Sequence, residues 1–118
     1  MPNEKFVLTV DDRLTLVGLL HSAHGDYGAR QLAQKTAEVL FTAEDAKNYS
    51  FKMDRAGNYS YNTFTEDKKP LPITKDFEFG PEILFIIASI LRRLNEAEDL
   101  DGQTEPLYAM FVLNRAGK

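Results

Sequence analysis

His21 and His24 are the two histidines of the chain, three residues apart, with Asp26 just behind them. Imidazole and carboxylate at that spacing are metal-ligand chemistry, but a metal centre takes three or four ligands in defined geometry, and no further ligand is signalled nearby. The spacing therefore reads as structural. His21 falls on the apolar face of a helix, and His24 sits beside the glycine that ends it, where a cationic side chain suits the negative end of the dipole. The same segment, His24-Gly25-Asp26-Tyr27-Gly28-Ala29-Arg30, carries a Gly-x-x-Gly turn into a second helix. The first N–H groups of that helix favour an anion, with His24 and Arg30 placed to assist. No phosphate-loop lysine and no dinucleotide glycine pattern accompany the turn, and Asp26 repels phosphate. A small-ligand or nucleotide site on His24 and Arg30 is thus the alternative reading, and a short glycine turn is the simpler one.

Glu96-Ala97-Glu98-Asp99-Leu100-Asp101-Gly102 has the composition of a calcium loop. Aligning Gly102 with the required glycine places Ala97 at the first ligand position and Tyr108 at the closing bidentate one, and both fail. Cysteine is absent, which removes disulfides, thiolate metal sites and thiol nucleophiles and suits a reducing compartment. No Gly-x-Ser-x-Gly elbow, HExxH or kinase-like motif occurs. Catalytic sets also assemble from distant positions without a motif, so the enzyme class stays open as the less favoured one, and no cofactor or metal is predicted.

Aromatic residues carry more weight. Tyr49, Phe51, Tyr59, Tyr61 and Phe64 cluster in sequence with Lys52 and Arg55. Such rings pack a core, anchor a protein interface, or stack on single-stranded nucleic acid. A net charge of −4 and a pI near 5.1 argue against broad nucleic-acid binding, which needs a basic footprint. The carboxylates Glu98, Asp99 and Asp101 would instead complement a basic protein partner. Tyr49, Phe51, Tyr59 and Tyr61 are the expected anchors, and nucleic-acid binding through the same hairpin is a third reading.

These residues need elements to position them. Thr9-Val10-Asp11-Asp12 has the form of a capping box, after an extended Phe6-Val7-Leu8. Leu14, Val17 and His21, flanked by Leu16 and Leu20, then give helical spacing up to about Ala23. Asp26 caps a second helix with Ala29, Leu32, Ala33, Thr36, Val39 and Leu40 on one side. Thr42-Ala43-Glu44-Asp45 repeats the capping pattern. Tyr49, Phe51 and Met53 alternate with polar residues, Arg55-Ala56-Gly57-Asn58 turns, and Tyr59 and Tyr61 resume, which predicts a hairpin near 49–64. Ile73, Phe77 and Phe79 predict a third extended piece near 73–79.

Gly80-Pro81-Glu82 opens a helix over 81–97, with proline pre-organised for the first turn and an acid at the positive end of the dipole. Its first turns are apolar all round, which predicts enclosure by the domain or by a second copy in a homo-oligomer. An acidic connector leads to a last helix from Thr104-Glu105-Pro106 carrying Leu107, Tyr108, Phe111 and Val112. The expected architecture is α+β, mainly helical with a small antiparallel element, in a single domain over 1–118.

Met1 to Phe6 lacks the basic and apolar regions of a signal peptide. The apolar run Ile83 to Leu91 is far short of the ~20 residues that span a bilayer. The reading is a cytoplasmic protein with no membrane association. Three features together resemble small helical proteins encoded by tailed bacteriophages. They are the helix pair ending in Gln31-Leu32-Ala33-Gln34-Lys35-Thr36-Ala37-Glu38-Val39-Leu40, the hairpin around Asp54-Arg55-Ala56-Gly57-Asn58, and Phe77-Glu78-Phe79 leading through a long helix and acidic break to Leu107-Tyr108-Ala109-Met110-Phe111. Those proteins are uncharacterised and typically lack an assigned activity, but some phage proteins of this size bind and block host enzymes or defence complexes. The resemblance therefore implies a binder of that kind in the host cytoplasm, and it transfers no site residues. The expected function is that of an interaction module that occludes a partner's surface without catalysis.

Overall fold

Thr9 ends one strand and caps one helix. Its hydroxyl accepts the Asp12 N–H at 3.0 Å while its own N–H donates to the Asp12 carboxylate at 3.2 Å, which closes the capping box. Thr42 and Asp45 form a second box at 3.0 Å in both directions. The structure is a computed structural model that describes residues 3–56, 58–64 and 67–114. In chain order the elements are β1 (Glu4–Thr9), α1 (Val10–His21), α2 (Tyr27–Leu40), α3 (Ala43–Asn48), β2 (Lys52–Met53), β3 (Tyr59–Ser60), β4 (Thr74–Phe79), α4 (Pro81–Glu96) and α5 (Glu105–Tyr108). A π-helical turn, Ala109–Leu113, continues α5. The fold is α+β.

Two separate antiparallel ribbons make up the β structure. The larger joins β1 to β4 in a register that runs from Glu4 opposite Phe79 to Thr9 opposite Thr74. Both extended pieces are legible in the sequence as isolated segments, and the structure makes them partners. The hairpin is the smaller ribbon, with Lys52 opposite Ser60 and Met53 opposite Tyr59. Asp54 folds its tip by accepting the N–H groups of Ala56 and Asn58, each at 2.9 Å. Tyr49 stands outside the ribbon, as the residue that ends α3.

The core lies where α1, α2 and α4 close over the β1–β4 ribbon and the π turn. Leu8, Leu16, Leu20, Leu40, Leu84, Ile87, Leu91 and Leu107 fill it. Each such aliphatic side chain contributes about 1.5–3 kcal/mol relative to exposure. Phe6, Phe79 and Phe111 form a tight trio, with Phe6 and Phe111 stacked 4.5 Å apart and Phe79 within 5.9 Å of both.

Three helical faces differ from expectation. α1 buries Val10, Arg13, Leu16 and Leu20, whereas the predicted face of Leu14, Val17 and His21 is only half-buried or exposed. α1 is apolar on two sides, and the core takes the side that carries Arg13. On α2, Ala37 turns inward and Val39 outward. On α4 the chain covers one side, burying Ile83, Leu84, Ile87, Ala88 and Leu91, while Phe85 stands 68% exposed. The enclosure predicted all round this helix is therefore not supplied by the described residues of its own chain.

A Schellman motif ends α4. Asp99 N–H donates to Leu94 C=O at 2.8 Å and Glu98 N–H to Asn95 C=O at 3.1 Å. Glu98 takes the left-handed conformation, φ 59°, where glycine is usual.

Candidate functional site

Five aromatic rings close into a cycle beside α1. Phe41 stacks on Tyr49 at 6.3 Å and meets the edge of Phe51 at 5.3 Å. Phe51 reaches Tyr59 at 5.9 Å, Tyr59 stacks on Tyr61 at 6.3 Å, and Tyr61 returns to the edge of Tyr49 at 6.3 Å. All four aromatic candidates from the sequence are thus brought together, with Phe41 as an unforeseen fifth member. Arm by arm, the cycle is tied to the rest of the chain. The Tyr49 hydroxyl donates to the Pro72 carbonyl. Tyr61 and Tyr59 hydroxyls both donate to Asp11 Oδ1, at 2.9 and 3.3 Å. Phe41 lies under the Arg13 guanidinium, 5.4 Å from ring centre to Cζ.

Partial burial and the Asp11 carboxylate push both phenols toward the protonated form. For Tyr61, burial acts first, then the hydrogen bond and charge of Asp11, and the pKa is pushed up to about 12. Tyr59 is raised as well, by burial first and then by the charge and hydrogen bond of Asp11. These hydroxyls stay protonated at neutral pH and act as donors that tie the hairpin to Asp11 of α1.

Between this cycle and α1 lies an open cleft of about 520 Å³. Leu14, Val17 and Gly18 of α1 line its floor, and Phe51, Met53 and Tyr59 of the hairpin form a wall, with His21, Thr15 and Gln103 around them. Its size falls in the range of pockets that take a drug-sized ligand or a cluster of side chains. The half-covered second face of α1 is the floor. Met53 is 60% exposed on the hairpin side.

The acidic connector lies beyond. Glu98 and Asp99 are exposed, and their backbone groups end α4 as described. Asp101 accepts the N–H groups of Gln103 and Thr104, each at 2.9 Å, and the Thr104 hydroxyl at 3.0 Å. Those donors, the Thr104 N–H foremost, hold its carboxyl below the usual range. Asp101 therefore caps the turn into α5.

His24 and Arg30 are both exposed, on the turn into α2 and in its first turn. Asp26 caps that helix by accepting the Ala29 N–H at 2.8 Å, which places a carboxylate at the N-terminus an anion would need. Neither His24 nor Arg30 lines the large cleft. Among the described residues no group of three or more His, Asp and Glu side chains could hold a metal ion, and no helix is long and apolar enough to cross a membrane.

Sequence reasoning missed Asp11, Arg13 and Gly18. The sequence shows Asp11 only as part of the Thr9-Val10-Asp11-Asp12 capping pattern and gives Arg13 no role, and only the fold shows what they reach. Gly18 carried a usable signal, since a glycine inside an otherwise regular helix invites the question of what approaches it. No protein-family model, no curated protein and no solved structure matches this chain, so its function rests on the geometry of its own surface.

Proposed function

We infer that this chain is a protein-interaction module that works by occupying a surface of a macromolecular partner, without catalysis. The observation that carries this reading is the second apolar face of α1. Leu14, Val17 and Gly18 line an open cleft against Phe51, Met53 and Tyr59, while the core is already complete on the opposite side of the helix. Aromatic side chains held rigidly around an uncovered apolar surface are the usual anchors of an interface. The ring cycle and its ties to Asp11, Arg13 and Pro72 pre-organise the hairpin, which lowers the ordering cost of binding. The resemblance to small uncharacterised helical proteins of tailed bacteriophages fits the same reading, since some phage proteins of this size block host complexes.

Native mass spectrometry of the tagged chain isolated gently from its own cells is the test. A co-purifying protein whose capture is lost when Tyr59 and Tyr61 are both changed to alanine, in a variant shown to be folded, supports the module. Capture undiminished by that change removes the hairpin from the interface. A small non-covalent adduct on an otherwise bare chain would replace the reading with ligand binding.

A further inference from the structure

The large cleft does not end at its apolar walls. Thr15 and Gln103 line it and also line a neighbouring depression of about 290 Å³, whose other walls include Asp11, Asp12 and Gly102. Asp11, Thr15 and Gly18 follow one another at helical spacing along a single stripe of α1. That stripe therefore passes from the Asp11 carboxylate, with Asp12 beside it in the depression, to the floor of the cleft within two turns. Among the described residues neither Asp11 nor Asp12 pairs with a basic side chain. Their partners are the Tyr59 and Tyr61 hydroxyls and the Thr9 N–H.

Gly18 is the second observation. A glycine inside a helix destabilises it relative to alanine, yet a Cβ built at this position meets no atom within 4 Å. Packing within its own chain therefore gives no reason for the missing side chain, and the space over the helix backbone at Gly18 is open to a group from outside.

We propose that the occupant of this cleft is a segment of a protein partner that presents an apolar side chain beside a lysine or arginine. The proposal rests on the interaction reading above and names the chemistry of its partner. The apolar side chain lies over Gly18 between Leu14 and the Phe51–Tyr59 wall. The cation reaches Asp11 and Asp12, whose charges complement it. The net charge of −4 steers a basic segment toward the protein at low salt.

The experiment titrates the isotope-labelled chain with a short synthetic peptide of alternating leucine and lysine, and with matched leucine–glutamate and serine–lysine peptides. The expected result is saturable amide shifts centred on Thr15, Gly18 and Gln103 with the leucine–lysine peptide, weakened at least about tenfold for either control and by added salt. Gly18→Trp, which fills the floor, and Asp11→Asn each abolish or weaken the response. The wild-type shift map tests the site even where a variant fails to fold. Equal response to the leucine–glutamate peptide, or shifts centred on the Phe85 face of α4, overturns the proposal. So does saturation by tryptamine with no response to any peptide, which makes the cleft a small-molecule site.

The two readings fail separately. A partner that is captured by wild type and by folded Gly18→Trp alike, but lost with the double tyrosine variant, leaves the interaction module standing and removes the cleft from it.

Discussion

The Arg13 guanidinium lies 2.7 Å from the Asp45 carboxylate, and its Nε donates to the Leu40 carbonyl, also at 2.7 Å. One side chain from α1 thereby satisfies the last carbonyl of α2 and holds the capping acid of α3. Arg13 is almost wholly buried, with Phe41 and Phe77 at 5.4 and 5.5 Å from its Cζ. A planar, always-charged group suits this position, because it serves two acceptors and two rings at once.

Removing that hub is expected to be costly. Arg13→Ala leaves a part-buried carboxylate without its cationic partner and a helix-end carbonyl without its side-chain donor, and should lower stability by about 3 kcal/mol. Arg13→Lys keeps the charge but cannot reproduce both hydrogen bonds, and should lose about 1.5 kcal/mol. Urea denaturation measures both. A lysine variant as stable as wild type would show that the forked geometry contributes nothing.

Gly18→Ala should stabilise the chain by about 0.5–1 kcal/mol, because the added methyl meets open space and α1 gains a better helix former. The midpoint of thermal or urea unfolding reports it. A loss of stability would mean that the cleft closes in solution.

Glu98→Gly should raise stability by about 1 kcal/mol. The left-handed backbone at this position strains a residue with a Cβ and leaves glycine at ease. Denaturant unfolding of the variant checks this, and an unchanged midpoint would place the residue outside the αL region in solution.

Leu84 and Phe85 are neighbours with opposite environments, 2% and 68% exposed. Leu84→Ala should cost about 3 kcal/mol through lost burial and the cavity left behind. Phe85→Ala should change stability by less than about 0.5 kcal/mol. Comparable losses at both positions would show that Phe85 is covered in solution, as it would be in a homo-oligomer.

Alkaline pH should weaken the hairpin mount. The Tyr61 pKa rises from 10.0 to about 12 in the folded chain, so the folded state keeps a proton that the unfolded state releases. This stabilisation is complete below about pH 10 and is lost as pH climbs through about 12. Tyr61→Phe should remove that part of the alkaline decline, and Asp11→Asn should reduce it by deleting the carboxylate charge. Phenolate absorbance followed alongside unfolding distinguishes the two.

Local features were legible in the sequence and long-range ones were not. The boxes at Thr9–Asp12 and Thr42–Asp45, the Asp26 cap and the proline start of α4 each depend on residues three or four apart, so side-chain chemistry alone places them. The union of β1 with β4 could not be read, because neither strand's pattern names its partner. α1 misled for a different reason. With apolar residues on two sides, its periodicity fits Leu14–Val17–His21 as well as Leu16–Leu20, and a buried arginine on the second stripe hides the answer. The aromatic cluster was visible as composition, but the destination of the Tyr59 and Tyr61 hydroxyls, Asp11, lies 48 and 50 residues away.

The β1–β4 register also sets a timetable for synthesis. Phe6 and Leu8 emerge early, yet their partner strand ends at Phe79, and at about 5–20 residues per second they wait several seconds for it. During that interval α1 to α3 have their local caps, but the ribbon that completes the core beside α1 does not exist. Closing so long a loop carries an entropic cost before any strand contact repays it. Folding should therefore be gated by chain completion past β4, with the hairpin free to form beforehand as a local event.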